Sequence, residues 1–357
     1  MATATLRWRV DEIVRRCSMR VDATELRLEL LRRLRSVVPF EAGFFATVDP
    51  ATVLFTSVVS EEPCTSVSPL YLANEIAGSD VNHFVDFAAA ADPVATLDRA
   101  TAGDRASSAR YRDIMAPLAL GDELRIALRS RGQCWGAMCL HREAGPYGFD
   151  DHDLAMMRRL APHVAEGLRH SVLFQPSTAG GSSRSGPGVI VVGDDLSVES
   201  MNPAAELWLS EIADADWPRA SELPMAIAAA AGRLSQLDDP DRGVLPPPEV
   251  RLRTATGTWL TVTASRLQGP NGRRTAIIIE PAAPAAITSL ILDGHGLTPA
   301  QARVTALVLR GRSSREIVNE LGISSHTLQD HLKAVFDKLG VNSRRELVAA
   351  LLAPPSP

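Results

Sequence analysis

The chain has 357 residues, a formal net charge of −5 and 45% hydrophobic residues. This length predicts two or three globular domains, and the acidic balance argues against a protein that coats nucleic acid along its whole surface. The four cysteines are too scattered for a disulfide framework or a CxxC-type zinc site. With no visible signal peptide or membrane-length apolar run, we expect a cytoplasmic protein without membrane contact.

The first part of the chain predicts an α/β domain over residues 1–174. Apolar residues recur at helical spacing, then at strand spacing, and then at helical spacing again. The expected elements are helices at 7–20 and 23–38, strands at 43–48 and 53–59, a mostly helical stretch to residue 118, strands at 124–128 and 134–140, and a long helix after Asp150 and Asp151. The strand at 124–128 alternates in the way expected of a half-buried strand, whereas the run from Cys134 to Leu140 is nearly all apolar, as in a central strand.

This order of elements resembles a GAF domain, with the run from Trp135 to Leu140 and the pair Phe149-Asp150 as its most similar parts. The resemblance implies a sensory pocket or a dimerisation platform. Four side chains in the region could suggest haem or metal: His83, His141, Cys134 and Cys139. Because they lack paired ligand spacing, we expect core or surface roles for them, with no metal and no cofactor.

The middle of the chain predicts a linker followed by a second α/β domain. Residues 175–187 are rich in Ser and Gly and predict a flexible linker. Residues 188–282 predict two strands, helices and a three-strand meander, with Asn202-Pro203 starting a helix and a helix expected at 222–236. This pattern resembles a PAS domain. Residues 283–294 are expected to form a second linker.

The C-terminal stretch, residues 295–354, predicts four short helices. Capping boxes occur at Thr298/Gln301, Ser313/Glu316 and Ser343/Glu346. Helix-ending glycines follow at positions 311, 322 and 340. The second and third helices are joined by a short turn, which predicts a helix-turn-helix whose second helix enters a major groove of DNA.

The third of these helices has a polar face that a helical core cannot use. His326, Gln329, Asp330, Lys333 and Asp337 recur at helical spacing opposite a leucine stripe. The only two lysines of the chain, Lys333 and Lys338, both lie on this helix, which favours phosphate contacts. From residue 295 onward the chain carries eight basic and five acidic residues, so a basic module follows an acidic body.

These residues resemble the LuxR-type DNA-binding domain over about 60 positions. The matching motifs include Leu297-Thr298-Pro299, Glu316-Ile317, Leu321 to Ser324, Lys338 to Val341 and Glu346 to Val348. The resemblance implies a tetrahelical domain that often pairs through its last helix. The family usually has acidic residues at the positions of Gln301 and Arg303, and often Lys-Val where Gln329-Asp330 stand. The target sequence therefore does not carry over from relatives.

The fold expected for the whole chain is multidomain α+β, with GAF-like and PAS-like sensor domains before an all-α tetrahelical helix-turn-helix domain. The residues expected to position the DNA backbone are Arg315, Thr327, Lys333, Lys338 and Arg344. Those expected to face base edges or the groove are His326, Gln329 and Asp330. The apolar residues of the last helix that are expected to mediate dimerisation are Leu347, Val348 and Leu351.

The function that this pattern predicts is a one-component transcription regulator. Its expected partners are double-stranded DNA, RNA polymerase, a second copy of the chain and a small-molecule effector. The absence of lysine before Lys333 excludes a P-loop ATPase and makes a phosphoacceptor receiver domain improbable. No catalytic motif is present, so we do not expect an enzyme. The alternative is a regulator that acts on RNA polymerase or another protein without sequence-specific DNA binding.

Overall fold

The computed structural model describes residues 2–19, 21–145, 147–173, 186–212, 223–239, 243–269 and 272–352. The chain forms two compact units. One contains residues 1–130 and 134–281, and the other contains residues 282–357 together with 131–133. Among the described residues, no helix combines the length and the apolar character needed to cross a bilayer.

The first unit begins with the region predicted to be GAF-like. Its helices are α1 (Ala2–Cys17), α2 (Ala23–Leu34), α3 (Ser68–Ala77), α4 (Phe84–Ala89), α5 (Leu97–Ala100) and α6 (Asp151–Leu173). Its strands are β1 (Ala42–Val48), β2 (Phe55–Ser60), β3 (Val94–Thr96), β4 (Leu120–Ser130) and β5 (Gln133–Glu143). The strands form one sheet in the order β2-β1-β5-β4-β3. We call residues 2–173 the first-sheet region.

Helices cover both faces of this first sheet. α6 packs on β4, and α1 and α2 pack against α6. The approach of α6 is close because β5 has a glycine there: a Cβ on Gly136 would lie 2.5 Å from Leu168 Cδ1. α4 also packs against β4. The strands are thus buried on two sides, which explains why Cys134 to Leu140 reads as an almost uninterrupted apolar run.

A second five-stranded sheet follows in the same unit. Its strands are β6 (Gly188–Val192), β7 (Val198–Met201), β8 (Glu249–Arg253), β9 (Trp259–Gly269) and β10 (Gly272–Pro281), and its helices are α7 (Pro203–Glu211) and α8 (Met225–Leu237). Their antiparallel order, β7-β6-β10-β9-β8, repeats that of the first sheet. The PAS-like assignment of this stretch stays a prediction. We call residues 186–281 the second-sheet region.

The two sheet regions share one hydrophobic core. Residues 175–187 were predicted as a flexible linker, but most of that segment lies outside the described residues. The α8 helix contacts α3 and β2 of the first-sheet region as well as β8 and β9 of the second. Its alanine-rich sequence is buried all around, as expected for a helix between two layers. The core is therefore continuous across the two regions.

The second unit is helical. Its helices are α9 (Pro284–Gly294), α10 (Pro299–Leu309), α11 (Ser314–Leu321), α12 (Ser325–Leu339) and α13 (Arg344–Leu352). The prediction of a linker at 283–294 is wrong, because these residues form α9. Leu292 is buried in the core of the helical unit and Ile291 packs against it, so this apolar segment gains burial by becoming helical.

Candidate nucleic-acid interface and buried polar cluster

A tight turn connects α11 to α12. Ser313 caps α11 in a reciprocal capping box with Glu316, whose carboxylate accepts the Ser313 backbone N–H at 2.7 Å. That N–H lowers the pKa of Glu316 below its ordinary value. Gly322 ends α11 with φ of 65°, and Ser324 then caps α12 by accepting the Thr327 N–H at 3.0 Å. This arrangement is a helix-turn-helix with α12 as the second helix.

One face of α12 is open to solvent. His326, Gln329, Asp330 and Lys333 are all exposed, at the spacing that places them along one side of the helix. The His326 Nε2 and Asp330 Oδ2 atoms lie 3.9 Å apart, so they form an ion pair only when the imidazole is protonated. Among the described residues, no carboxylate oxygen lies within 4.0 Å of the Lys333 ammonium. The exposed face therefore offers amide, carboxylate, imidazole and ammonium groups to a partner.

The Lys338 ammonium makes hydrogen bonds within its own domain. Its ammonium donates to the backbone carbonyl of Gly296 at 2.7 Å and to Gln301 Oε1 at 2.8 Å. Its backbone carbonyl also lies 3.1 Å from His295 Nδ1. These bonds tie the end of α12 to the start of α10, so Lys338 is a structural residue. The phosphate contact predicted for this lysine stays a prediction, and it would have to use a donor that these two hydrogen bonds leave over.

The three remaining residues that were predicted to contact the DNA backbone differ in how far their side chains are engaged within the domain. Arg315 is exposed in the first turn of α11. The Thr327 hydroxyl lies 2.9 Å from Ser324 Oγ, so it shares in the cap of α12. Arg344 donates to the backbone carbonyl of Arg312, which engages part of its guanidinium within the domain. Arg315 thus remains the most available of these three donors.

The predicted dimerisation residues face inward. Leu347 is fully buried and Leu351 is 7% exposed, and both belong to the core of the helical unit. Val348 packs against the same core. The stripe that the sequence suggested for pairing is the stripe that closes the monomeric domain. The exposed positions of α13 are instead Arg345, Glu346, Ala349 and Ala350.

A cluster of ionisable side chains lies buried in the first-sheet region. Glu123 and Arg125 lie two positions apart on β4, and Cys139 and His141 lie two positions apart on the neighbouring strand, β5. Arg110 Nε donates to Glu123 Oε2 at 2.8 Å, and Arg125 Nε lies 3.0 Å from the same oxygen. Burial opposes ionisation, but the two guanidinium groups prevail and lower the pKa of Glu123 to about 2.

Burial keeps two members of this cluster, His141 and Cys139, neutral. Desolvation lowers the pKa of His141 to about 4 and raises the pKa of the Cys139 thiol well above its ordinary value. Sequence spacing did not reveal the cluster, because its members come from two strands and from the segment that contains Arg110. The alternation of Glu123 with Arg125 and of Cys139 with His141 was the available signal, since charged residues at buried strand positions require partners.

The cluster is linked to α8 through Glu75 of α3. Arg125 Nη1 donates to Glu75 Oε2 at 2.8 Å. Gln236 of α8 donates to the Glu75 backbone carbonyl at 3.0 Å, and Met225 of α8 lines the same small cavity as Cys139 and His141. A helix of the second-sheet region therefore contacts the polar cluster of the first.

A second link joins the two sheet regions directly. Arg251 of β8 makes a bidentate ion pair with Asp49, at 2.8 and 2.6 Å, and its backbone N–H also donates to Asp49. Arg233 of α8 donates to the Thr52 carbonyl at 3.1 Å. β8 is an edge strand of its sheet. By accepting the Arg251 backbone N–H, Asp49 satisfies a donor of this edge that has no strand beside it.

Comparison with known proteins identifies two families. Residues 295–351 match the family of bacterial regulatory proteins described as the luxR family. Residues 28–168 match the GAF domain. No curated protein sequence matches the chain.

Three of the solved structures that match the chain are described by their identity, coverage and TM-score. The VqsR LBD domain from Pseudomonas aeruginosa is 16% identical, covers 49% of this chain and 99% of its own, and has a TM-score of 0.33. SdiA from Escherichia coli is 11% identical over 97% of this chain and 96% of its own, with a TM-score of 0.32. The VqmA dimer from Vibrio cholerae is 21% identical over 29% and 52%, with a TM-score of 0.16.

Proposed function

Because this chain carries a luxR-family DNA-binding domain at its C-terminus and a GAF domain at its N-terminus, we propose that it is a one-component, sequence-specific transcription regulator. A small molecule or a protein partner acts on the first unit, and the helical unit binds double-stranded DNA as a homodimer. RNA polymerase is the machinery on which such a regulator acts. The proposal assigns no catalytic step to the chain.

The observation that carries this proposal is the open face of α12. The helix follows a capped turn, and its exposed side bears groups that read base edges and phosphates. Gln329 can donate to and accept from adenine, and Asp330 can accept from the amino group of cytosine. Lys333 and Arg315 supply positive charge for the DNA backbone. His326, close to the start of α12, completes the face that enters the groove.

Sensing is proposed for the first unit because its two sheet regions are packed as one body. A change at the buried cluster would reach α8 through Glu75 and Gln236, and α8 lies against the second sheet. Coupling through packed elements needs neither a phosphoryl group nor ATP. Among the residues described, this unit has no lysine, which agrees with that mode of control.

Pairing of two chains is proposed to use the exposed side of α13, because Leu347 and Leu351 are occupied by the domain's own core. Ala349→Arg should then convert a dimer into a monomer in sedimentation velocity while the thermal unfolding midpoint stays within a few degrees. Leu347→Ala should instead lower the midpoint, because it leaves a cavity in the core. A dimer that survives Ala349→Arg would place the pairing surface elsewhere.

Selection from a random double-stranded DNA library tests the proposed function. The full chain should enrich one motif, with two half-sites if it binds as a dimer. A triple variant, Gln329→Ala, Asp330→Ala and Lys333→Ala, should lose the enrichment but keep its helical circular dichroism. If the folded wild-type chain selects no sequence, the protein acts through proteins alone, which is the alternative that the sequence left open.

A further inference from the structure

Three side chains with metal-ligand chemistry converge inside the first-sheet region. Glu123 comes from β4, and Cys139 and His141 come from one face of β5. One ligand atom from each lies within 4.8 Å of the other two, and all three residues are buried. Ligand atoms on one tetrahedral zinc ion are about 3.4–3.7 Å apart, so side-chain shifts of about 1 Å would bring the three into a common shell.

The site has unsatisfied ligand atoms and a small space beside it. Glu123 Oε2 lies against both arginines, whereas Glu123 Oε1 accepts no hydrogen bond from the described residues. His141 Nε2 lies 4.0 Å from this oxygen, and the other ring nitrogen, Nδ1, is buried without a hydrogen-bond partner among the described residues. Cys139, His141 and Cys64 line a cavity of about 20 Å³, which is the scale of one water molecule or one ion and too small for an organic ligand.

The charges of the surrounding side chains are compatible with one bound divalent cation if the Cys139 thiol loses its proton. The nearby arginines, Arg110 and Arg125, carry two positive charges against the carboxylates of Glu123, Glu75 and Asp80. A divalent ion that displaces the Cys139 proton adds one net positive charge, which brings this group of side chains to neutrality. The arginines also hold Glu123 ionised, as hydrogen-bond donors behind a ligating carboxylate commonly do.

From this geometry we propose that Glu123 Oε1, Cys139 Sγ and His141 bind a single divalent transition-metal ion, with Zn²⁺ as the best chemical match. One thiolate, one imidazole and one carboxylate suit zinc better than Mg²⁺ or Ca²⁺, which prefer oxygen ligands alone. A water molecule, for which the neighbouring cavity has room, completes the tetrahedron. The site is separate from the helices proposed to bind DNA, so this proposal does not depend on whether the chain selects a DNA sequence.

Titration of the chelator-treated full chain with Co²⁺ tests the site, because a thiolate bound to cobalt gives a charge-transfer absorption band. We expect the band to saturate at one Co²⁺ per chain and to disappear when Zn²⁺ displaces cobalt. Cys139→Ser should abolish the band and weaken Zn²⁺ binding by more than about 100-fold, since loss of a ligand should exceed the loss seen for outer-shell partners.

Cys134→Ser is the matched control. Cys134 is a buried cysteine on the same strand, five residues or about 17 Å from Cys139, and its thiol donates to the Gly136 carbonyl. This variant should keep both the band and the stoichiometry. No band in the wild-type chain, or an unchanged band in Cys139→Ser, would overturn the proposal. If Cys139→Ser fails to fold, Glu123→Gln should still weaken Zn²⁺ binding, and unaltered binding would be equally decisive against it.

Discussion

The ammonium group of Lys338 lies 2.8 Å from Gln301 Oε1, and this hydrogen bond joins the end of α12 to the first turn of α10. Gln301 uses the same oxygen to accept the Thr298 N–H of its own capping box at 3.0 Å. A neutral amide thus occupies the position at which the LuxR-type pattern usually has an acid. The amide retains the acceptor but gives up the ion pair.

Lys338→Met should destabilise the helical unit without changing how it contacts DNA. The substitution keeps the apolar stem but removes the ammonium donor from the Gly296 carbonyl and leaves Gln301 Oε1 with the Thr298 N–H alone, at a cost of about 1–3 kcal/mol. Denaturant unfolding followed by circular dichroism measures this loss. Lys333→Met, at an exposed position of the same helix, should stay within about 0.5 kcal/mol of the wild type. Equal losses in the two variants would remove the structural role of Lys338.

Lys333→Met should reduce the salt dependence of DNA binding. A lysine that contacts a phosphate releases a counterion, so its loss should lower the slope of log K against log salt by about 0.9 for every DNA sequence alike. Fluorescence anisotropy from low to moderate salt provides the slope. Lys338→Met serves as the control, with the slope of the wild type. A Lys333 variant with an unchanged slope would mean that this ammonium touches no phosphate.

Gln329→Ala should relax the preference at one base pair. A bidentate amide–adenine contact discriminates by about 1–3 kcal/mol, so affinity for the preferred site should fall while affinities for sites changed at that pair stay level. Competition binding with single-base variants of the selected motif measures the effect. Asn319→Ala, an exposed amide on α11, should leave the pattern unaltered. A uniform loss at all sites would show that Gln329 does not read a base.

Asp49→Ala should strongly destabilise the first unit. The substitution removes the bidentate partner of Arg251, whose side chain is 7% exposed, and breaking a buried ion pair by removing one partner costs about 3–5 kcal/mol. The denaturation midpoint of the full chain, followed by tryptophan fluorescence, should fall accordingly. Asp92→Ala removes a half-exposed partner of Arg158 and should cost no more than about 1 kcal/mol. Similar midpoints for both variants would contradict the importance of the Asp49–Arg251 pair.

The helical segment shows how far sequence alone can reach. Capping boxes and terminal glycines act within one turn of the chain, so they predicted α10, α11 and α12 closely. The same signals missed α9, because Pro284 starts it without a side-chain cap hydrogen bond and its apolar residues make sense only against a neighbouring core. Helical spacing also identified the α13 stripe correctly but could not say whether its own domain or a second chain covers it.

What the sequence determined by itself was therefore local: the helix starts and stops, the polar face of α12 and the order of strands that resembles a GAF domain. The tertiary structure alone decided which polar atoms meet. In the folded chain Lys338 bonds to Gln301, and Leu347 lies in the core of its own domain. Arg251 pairs with Asp49, and Glu123 lies beside Cys139 and His141. The physical reason is that capping and periodicity depend on residues within a few positions, whereas a buried charge or thiol is defined by neighbours brought from distant parts of the chain.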